Sequence, residues 1–145
     1  MNKRHEALLE ALIKHHEGYS EKMYRCSAGK LTIGYGFNLE DNVMCQEAAE
    51  AQLRCDIEKV EKRMDRVIPE FKGLTGARRA ALIDMGYNLG VPGIRKFRNM
   101  WSAIRQGNWD AAAYQAQDSR WFRQVKSRGV RIVEMLRTGE WPQDL

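Results

Sequence analysis

The sequence predicts an α+β fold, with a small antiparallel β lobe and a helical lobe joined by a long helix. Three observations predict it. Only residues 19–42 bring glycines, aromatics and β-branched residues together as strands require. The rest of the chain returns apolar residues at helical spacing. And 145 residues, 43% of them hydrophobic, can bury one good core with a smaller lobe attached, but not two independent large domains. The expected organisation is a single domain over 1–145, with a β lobe at about 18–45, a connecting helix at about 46–68, and a helical lobe built from 1–17 and 69–145.

Residues 3–17 place Ala7, Leu8, Ala11, Leu12 and His15 on one side, with Lys3, Glu6, Glu10 and Lys14 largely opposite, and Gly18 ends that helix. Ala28-Gly29-Lys30 is the expected turn of the sheet. Helical periodicity resumes over 46–68 through Ala49, Leu53, Ile57, Val60, Met64 and Val67, and Pro69 stops it. Thr75 is the expected N-cap of a helix closing near Asn88-Leu89-Gly90, with Pro92-Gly93 beyond it. Further helices fit 94–106, 109–117 and 120–137, separated by Gly107-Asn108 and Asp118-Ser119.

The formal charge is +5, and the positive excess lies in the second half, from Arg78-Arg79 to Arg137. Such an excess favours a polyanionic partner such as a nucleic acid, an acidic glycan or an anionic surface, and is equally compatible with solvated helix faces. The arginines are dispersed over several helices without a finger, RNP block or basic zipper, so no nucleic acid is expected. Cys26, Cys45 and Cys55 are an odd set without metal-ligand spacing. The last two, if on one helix, stand about 15 Å apart along its axis, so all three are expected as free thiols. His5, His15 and His16 have no zinc-site spacing, and no metal or other cofactor is expected. The amino terminus leads into a charged amphipathic helix with no apolar run fit for a signal segment or anchor. Accumulation in the cytoplasm without stable membrane insertion is therefore expected.

Glu17 sits where the first helix breaks, and Thr32 lies in the glycine-flanked strand Leu31-Thr32-Ile33-Gly34. A carboxyl at a helix C-terminus feels the negative end of the helix dipole, and apolar surroundings would disfavour its ionised form further. It could then donate a proton to a leaving oxygen. A solvated residue at a helix end is the other reading.

The string His16-Glu17-Gly18, Tyr24 and Gly29-Lys30-Leu31-Thr32-Ile33-Gly34-Tyr35-Gly36 resembles the active-site segment of the phage-type lysozymes, glycoside hydrolase family 24. The resemblance continues through Arg79 to Gly90, Trp109-Asp110-Ala111-Ala112, Asp118-Ser119-Arg120-Trp121 and Arg137 to Trp141. It implies a lysozyme-like fold and a single catalytic domain. The implied activity is hydrolysis of the β-1,4 bond between N-acetylmuramic acid and N-acetylglucosamine in bacterial peptidoglycan. By resemblance Glu17 is the general acid, Thr32 helps hold the attacking water, and Arg128 approaches the acid and helps position it. Asn38, Tyr87, Asn88 and Gln115 match substrate-binding positions, with Tyr35 and Phe37 as neighbours. The resemblance also implies synthesis in a host cytoplasm and action on the wall after a holin breaches the membrane.

Cys26 stands where the family commonly has an aspartate. Glycosidases usually work with two carboxylates, one protonating the leaving oxygen and one activating water or attacking carbon. Cys26 could orient water or attack as thiolate, could be inert beside Glu17 and Thr32, or could mark a dead enzyme. The first option needs a lowered pKa, from an arginine or backbone N–H groups. Arg25 adjoins it, but strand neighbours point to opposite faces. Glu21, the nearest other carboxylate, is expected in solvent. Trp101, Trp109, Trp121 and Trp141, with Met85, Met100 and Met135, are expected in the core. A monomer is expected, on the ground that no surplus apolar helix face remains. Competing functions are a catalytically silent wall-binding or nucleic-acid-binding module, and a lytic transglycosylase using the same acid.

Overall fold

The first helix, α1 (Lys3–Glu17), begins at Asn2, whose side-chain oxygen accepts from the His5 N–H at 2.9 Å. It ends as expected at Gly18 (φ 70°), whose N–H reaches the Lys14 carbonyl at 2.9 Å. The computed structural model describes all 145 residues, Met1–Leu145, which divide into two compact units, Met1–Ala49 and Glu50–Leu145.

Unit 1 follows α1 with β1 (Ser20–Arg25), β2 (Leu31–Gly34) and β3 (Phe37–Asn38), an antiparallel sheet in the order β1-β2-β3. Its register pairs Tyr24 with Thr32 and Thr32 with Asn38, while β1 carries extra residues between Ser20 and Tyr24 that bulge away from β2. The turn from β1 to β2 forms at the expected place, with Gly29 in the left-handed region at φ 78°. No residue of α1 is buried, and Leu8, Leu9, Leu12 and Ile13 all remain exposed. The ground given for a monomer, the lack of a surplus apolar face, is therefore not met.

The long connecting helix α2 (Gln46–Val67) runs 22 residues, about 33 Å, and stops before Pro69 as expected. Unit 2 continues with α3 (Gly76–Leu89), α4 (Val91–Arg95), α5 (Arg98–Arg105), α6 (Trp109–Gln117), α7 (Arg120–Val125) and α8 (Ser127–Thr138). Thr75 has the extended backbone of an N-cap, but its hydroxyl makes no capping bond. Phe71, Met64, Leu82, Met85, Ile94, Met100 and Leu136 fill the core without solvent exposure. Gly86 lets α3 close on α2: a Cβ there would stand 2.7 Å from the Met64 sulfur.

Two expected helices are each broken. Residues 94–106 divide into α4 and α5: Pro92 sits in the first turn of α4 rather than in a loop beyond α3, so that helix starts early, and it ends at Arg95 where Trp101 packs back on Ile94. The indole N–H of Trp101 donates to the Ile94 carbonyl at 2.8 Å, satisfying a group that the early end of α4 leaves open. Residues 120–137 break at Lys126 (φ 53°), the one residue other than glycine with positive φ. Gly129 permits the fold-back, since a Cβ there would stand 2.8 Å from the Phe122 ring. Trp101 and Trp121 are core residues, as are Met85, Met100 and Met135. Trp109 is half-buried beneath the Arg78 guanidinium, and Trp141 is 58% exposed, which corrects its placement in the core. It follows Gly139, past the last helix, where no neighbouring turn covers it.

Candidate active site

Glu17 is the last residue of α1, and its side chain lies over the turn that joins β2 to β3. The contact is with Gly36 (φ 72°): a Cβ built on Gly36 would stand 2.6 Å from Glu17 Cδ and 3.2 Å from its Cγ. Only glycine combines that backbone angle with an uncovered Cα, so the hairpin carries the carboxyl against bare backbone.

Thr32 lies on the middle strand of the same hairpin and is 2% exposed, the one buried polar side chain of the protein. Its hydroxyl donates to the Lys30 carbonyl at 2.9 Å. Directly opposite residues share a face of a sheet, and side chains alternate along a strand. Tyr24 pairs with Thr32, so Cys26, two residues beyond Tyr24, falls on the face of Thr32. The turn is closed by Cys26 N–H to the Lys30 carbonyl at 2.9 Å and Gly29 N–H to the Cys26 carbonyl at 2.8 Å.

That turn surrounds the sulfur with donors. The backbone N–H of Lys30, then that of Ala28, then the Thr32 hydroxyl hold the Cys26 thiol below the ordinary thiol range, against a smaller opposing effect of desolvation. Threonine has one hydroxyl proton, so its bond to Lys30 and its bond to sulfur alternate. Arg25 takes no part: its guanidinium donates to the Gly29 carbonyl at 2.9 Å, on the other side of the strand. Cys26, Cys45 and Cys55 are all free, and Glu21 is exposed.

Asn38 is tied into its own loop. Its side-chain oxygen accepts from the N–H groups of Glu40 at 2.9 Å and Asp41 at 3.1 Å, and its amide donates to Asp41 at 3.0 Å. Among the residues matched in unit 2, Arg128 and Tyr87 line one groove with Leu53, Ile57, Ile83 and Asp84. The Arg128 guanidinium is fixed there, with Nε 2.8 Å from Asp84 Oδ1 and Nη2 3.4 Å from the Asp84 carbonyl. Asn88 accepts from the indole N–H of Trp121 at 2.9 Å, and Gln115 lines a different groove beside Phe97 and Asn99. No three His, Cys, Asp or Glu side chains come together as a metal site.

Gly36 as the seat of the acid, Asp84 as the partner of Arg128, and Tyr19 beside the acid were not expected from the sequence. The closely spaced glycines of Gly34-Tyr35-Gly36 were the available signal for the first. A carboxylate 44 positions from its arginine leaves no local signal.

A family model described as phage lysozyme matches residues 14–137 of the chain. The chain is similar to the pre-baseplate central spike protein Gp5 of Enterobacteria phage T4, 32% identical over 84 residues that make up 58% of this chain and 15% of that protein. It is also similar to probable T4-type lysozyme 1 of Dictyostelium discoideum, 22% identical over 160 residues, 90% of this chain and 94% of that protein. An endolysin of Acyrthosiphon pisum secondary endosymbiont phage 1 is 39% identical over 84 residues, 55% of this chain and 56% of that protein. The matched stretch thus spans nearly the whole of the Dictyostelium protein, about half of the endolysin and a small part of the spike protein.

Proposed function

The chain belongs to the phage lysozyme family, and we propose that it is a muramidase in which Glu17 is the proton donor and the Cys26-Thr32 pair governs the attacking water. It is a glycoside hydrolase acting on peptidoglycan, cleaving the β-1,4 bond between N-acetylmuramic acid and N-acetylglucosamine. The observation that carries the residue assignment is the hairpin itself: Glu17 rests on its tip at Gly36, and its middle strand presents Thr32 on the face of Cys26.

In this reading the Glu17 carboxyl gives its proton to the glycosidic oxygen as the bond from that oxygen to the anomeric carbon breaks. A water oxygen bonds to the same carbon, oriented by the Thr32 hydroxyl. Its proton passes to the Cys26 thiolate, which stands where a second carboxylate commonly serves. Exchange with solvent then resets the carboxylic acid and the thiolate. The donors of the 26–30 turn supply the chemistry this needs, because they favour the anion that must accept the proton.

Arg128 is assigned a supporting role, its guanidinium oriented by Asp84. Tyr87, Asn88, Gln115 and Asn38 are assigned to glycan binding on the strength of the family resemblance, Asn38 through the loop it orders as well as its own amide. One copy carries Glu17, Cys26 and Thr32 together, so a monomer suffices. No helix is long and apolar enough to cross a membrane. Access to the wall is assigned, by family analogy, to a holin that opens the membrane from within.

Mass spectrometry of digested sacculi tests the reaction. Hydrolysis leaves reducing muramic acid ends, whereas anhydro-muramic ends would identify a lytic transglycosylase, and binding without new ends a silent module. Cys26→Asp retains activity if the thiolate accepts a proton, and Cys26→Ser loses most of it. Equal activity in both variants would make the thiol inert.

A further inference from the structure

Two tyrosines flank the acid without taking part in any core. Tyr19 follows Gly18 directly after α1, and Tyr35 precedes Gly36. Their ring centroids are 5.3 Å apart with planes tilted by 40°, and they stay 66% and 46% exposed. Aromatic rings gain most by leaving water, so a paired set left open on the segments that hold a catalytic group needs a reason.

We propose that Tyr19, braced by Tyr35, is a stacking platform for a pyranose ring of the glycan strand beside the bond that Glu17 cleaves. The inference rests on the muramidase reading for the identity of its ligand, and on three features of unit 1 for its existence. First, Tyr35 is held. The Lys14 ammonium lies 5.5 Å from its centroid and is itself paired with Glu10 at 2.5 Å, so Tyr35 is committed to neighbours on α1 and to Tyr19. Second, the more exposed Tyr19 is the ring left available to a ligand. Third, both rings are tied to the acid by the chain. Gly18 alone separates Tyr19 from Glu17, and the neighbour of Tyr35 is the glycine on which the carboxyl rests. A sugar stacked on Tyr19 is thereby placed relative to the proton donor by backbone rather than by flexible side chains, which is what a reacting geometry requires. An N-acetylated hexosamine has the matching chemistry: an apolar C–H face for the ring, and hydroxyl and amide groups that remain hydrated or bonded at its edge.

The test uses the full chain and a soluble tetrasaccharide of alternating N-acetylglucosamine and N-acetylmuramic acid. In the Glu17→Gln background, which prevents turnover, Tyr19→Ala weakens binding roughly three- to tenfold and Tyr19→Phe leaves it close to the parent. Binding equal in Tyr19→Ala and parent overturns the platform. So does an equal loss in Tyr19→Phe, which would assign the effect to the hydroxyl. In a measurement that needs no variant at 19, the Tyr19 ring resonances of the Glu17→Gln protein shift on adding the tetrasaccharide, and unmoved resonances again overturn it. Release of reducing ends by the wild-type protein is followed separately. Cleavage with an unmoved Tyr19 ring defeats the platform alone, and binding through Tyr19 with no cleavage by wild type defeats the muramidase reading alone.

Discussion

The Glu17 carboxyl lies against the backbone of Gly36, in space that any side chain at position 36 would fill. The contact couples the end of a helix to the tip of a hairpin. Gly36→Ala is expected to lower glycan cleavage on the order of a hundredfold, because it displaces the proton donor. It also forces alanine to φ near 72°, at a cost of about 1–2 kcal/mol. Turnover assays beside a denaturant titration separate the two effects; wild-type turnover in a stable Gly36→Ala protein would remove this contact from the account.

The donors around Cys26 make a prediction about pH. A thiol held below its ordinary pKa keeps its thiolate to lower pH, and the thiolate is the form that alkylates. Modification of Cys26 by iodoacetamide, followed by peptide mass spectrometry, should therefore rise at lower pH in the native protein than at the same residue after unfolding in urea. A native profile at or above the unfolded one contradicts the geometry of the turn.

Asn88 has a structural duty that its expected part in glycan binding did not include. Asn88→Ala leaves the indole N–H of the buried Trp121 without its acceptor, and should cost about 1–3 kcal/mol of stability in urea denaturation. Trp121→Phe with Asn88→Ala should cost less than the sum of the two single changes, because the two side chains share one bond.

Arg79 binds α3 to α2. Its guanidinium meets Asp65 at 2.7 Å and Glu61 at 3.1 Å, donates to the Leu74 carbonyl at 3.3 Å, and covers the Phe71 ring at 4.4 Å from its centroid. Asp65 first, and Glu61 after it, raise its affinity for the proton against desolvation, so the cation persists throughout the accessible pH range. Arg79→Met should destabilise the protein by about 1–3 kcal/mol, since it leaves two carboxylates facing each other beside an uncovered ring. Arg79→Lys should recover part of that loss but not the planar contact with Phe71.

How much of this was legible in the sequence depended on how local each signal is. The ends of α1 and α2 were readable because Gly18 and Pro69 act through their own backbone. The sheet was readable because its β-branched residues and glycines are concentrated in one stretch. The breaks at 96–97 and at Lys126 were not, since one follows from Trp101 packing back on Ile94 and the other from Phe122 against Gly129. At the candidate site, Glu17 and Thr32 could be named from the helix end and the glycine-flanked strand, and Cys26 only through the family resemblance. The donors that tune Cys26 are backbone groups, whose direction only the folded turn fixes. The Asp84-Arg128 and Asn88-Trp121 pairs join positions far apart in the chain and have no pattern to betray them.

The most direct test of the central claim is the rate at which Glu17→Gln releases reducing ends from purified peptidoglycan, with circular dichroism to confirm the fold. Glutamine keeps the size and place of the side chain and removes the transferable proton. If Glu17 is the proton donor, the rate falls about 10²–10⁴-fold with the fold intact. Wild-type turnover in a folded Glu17→Gln protein would contradict it.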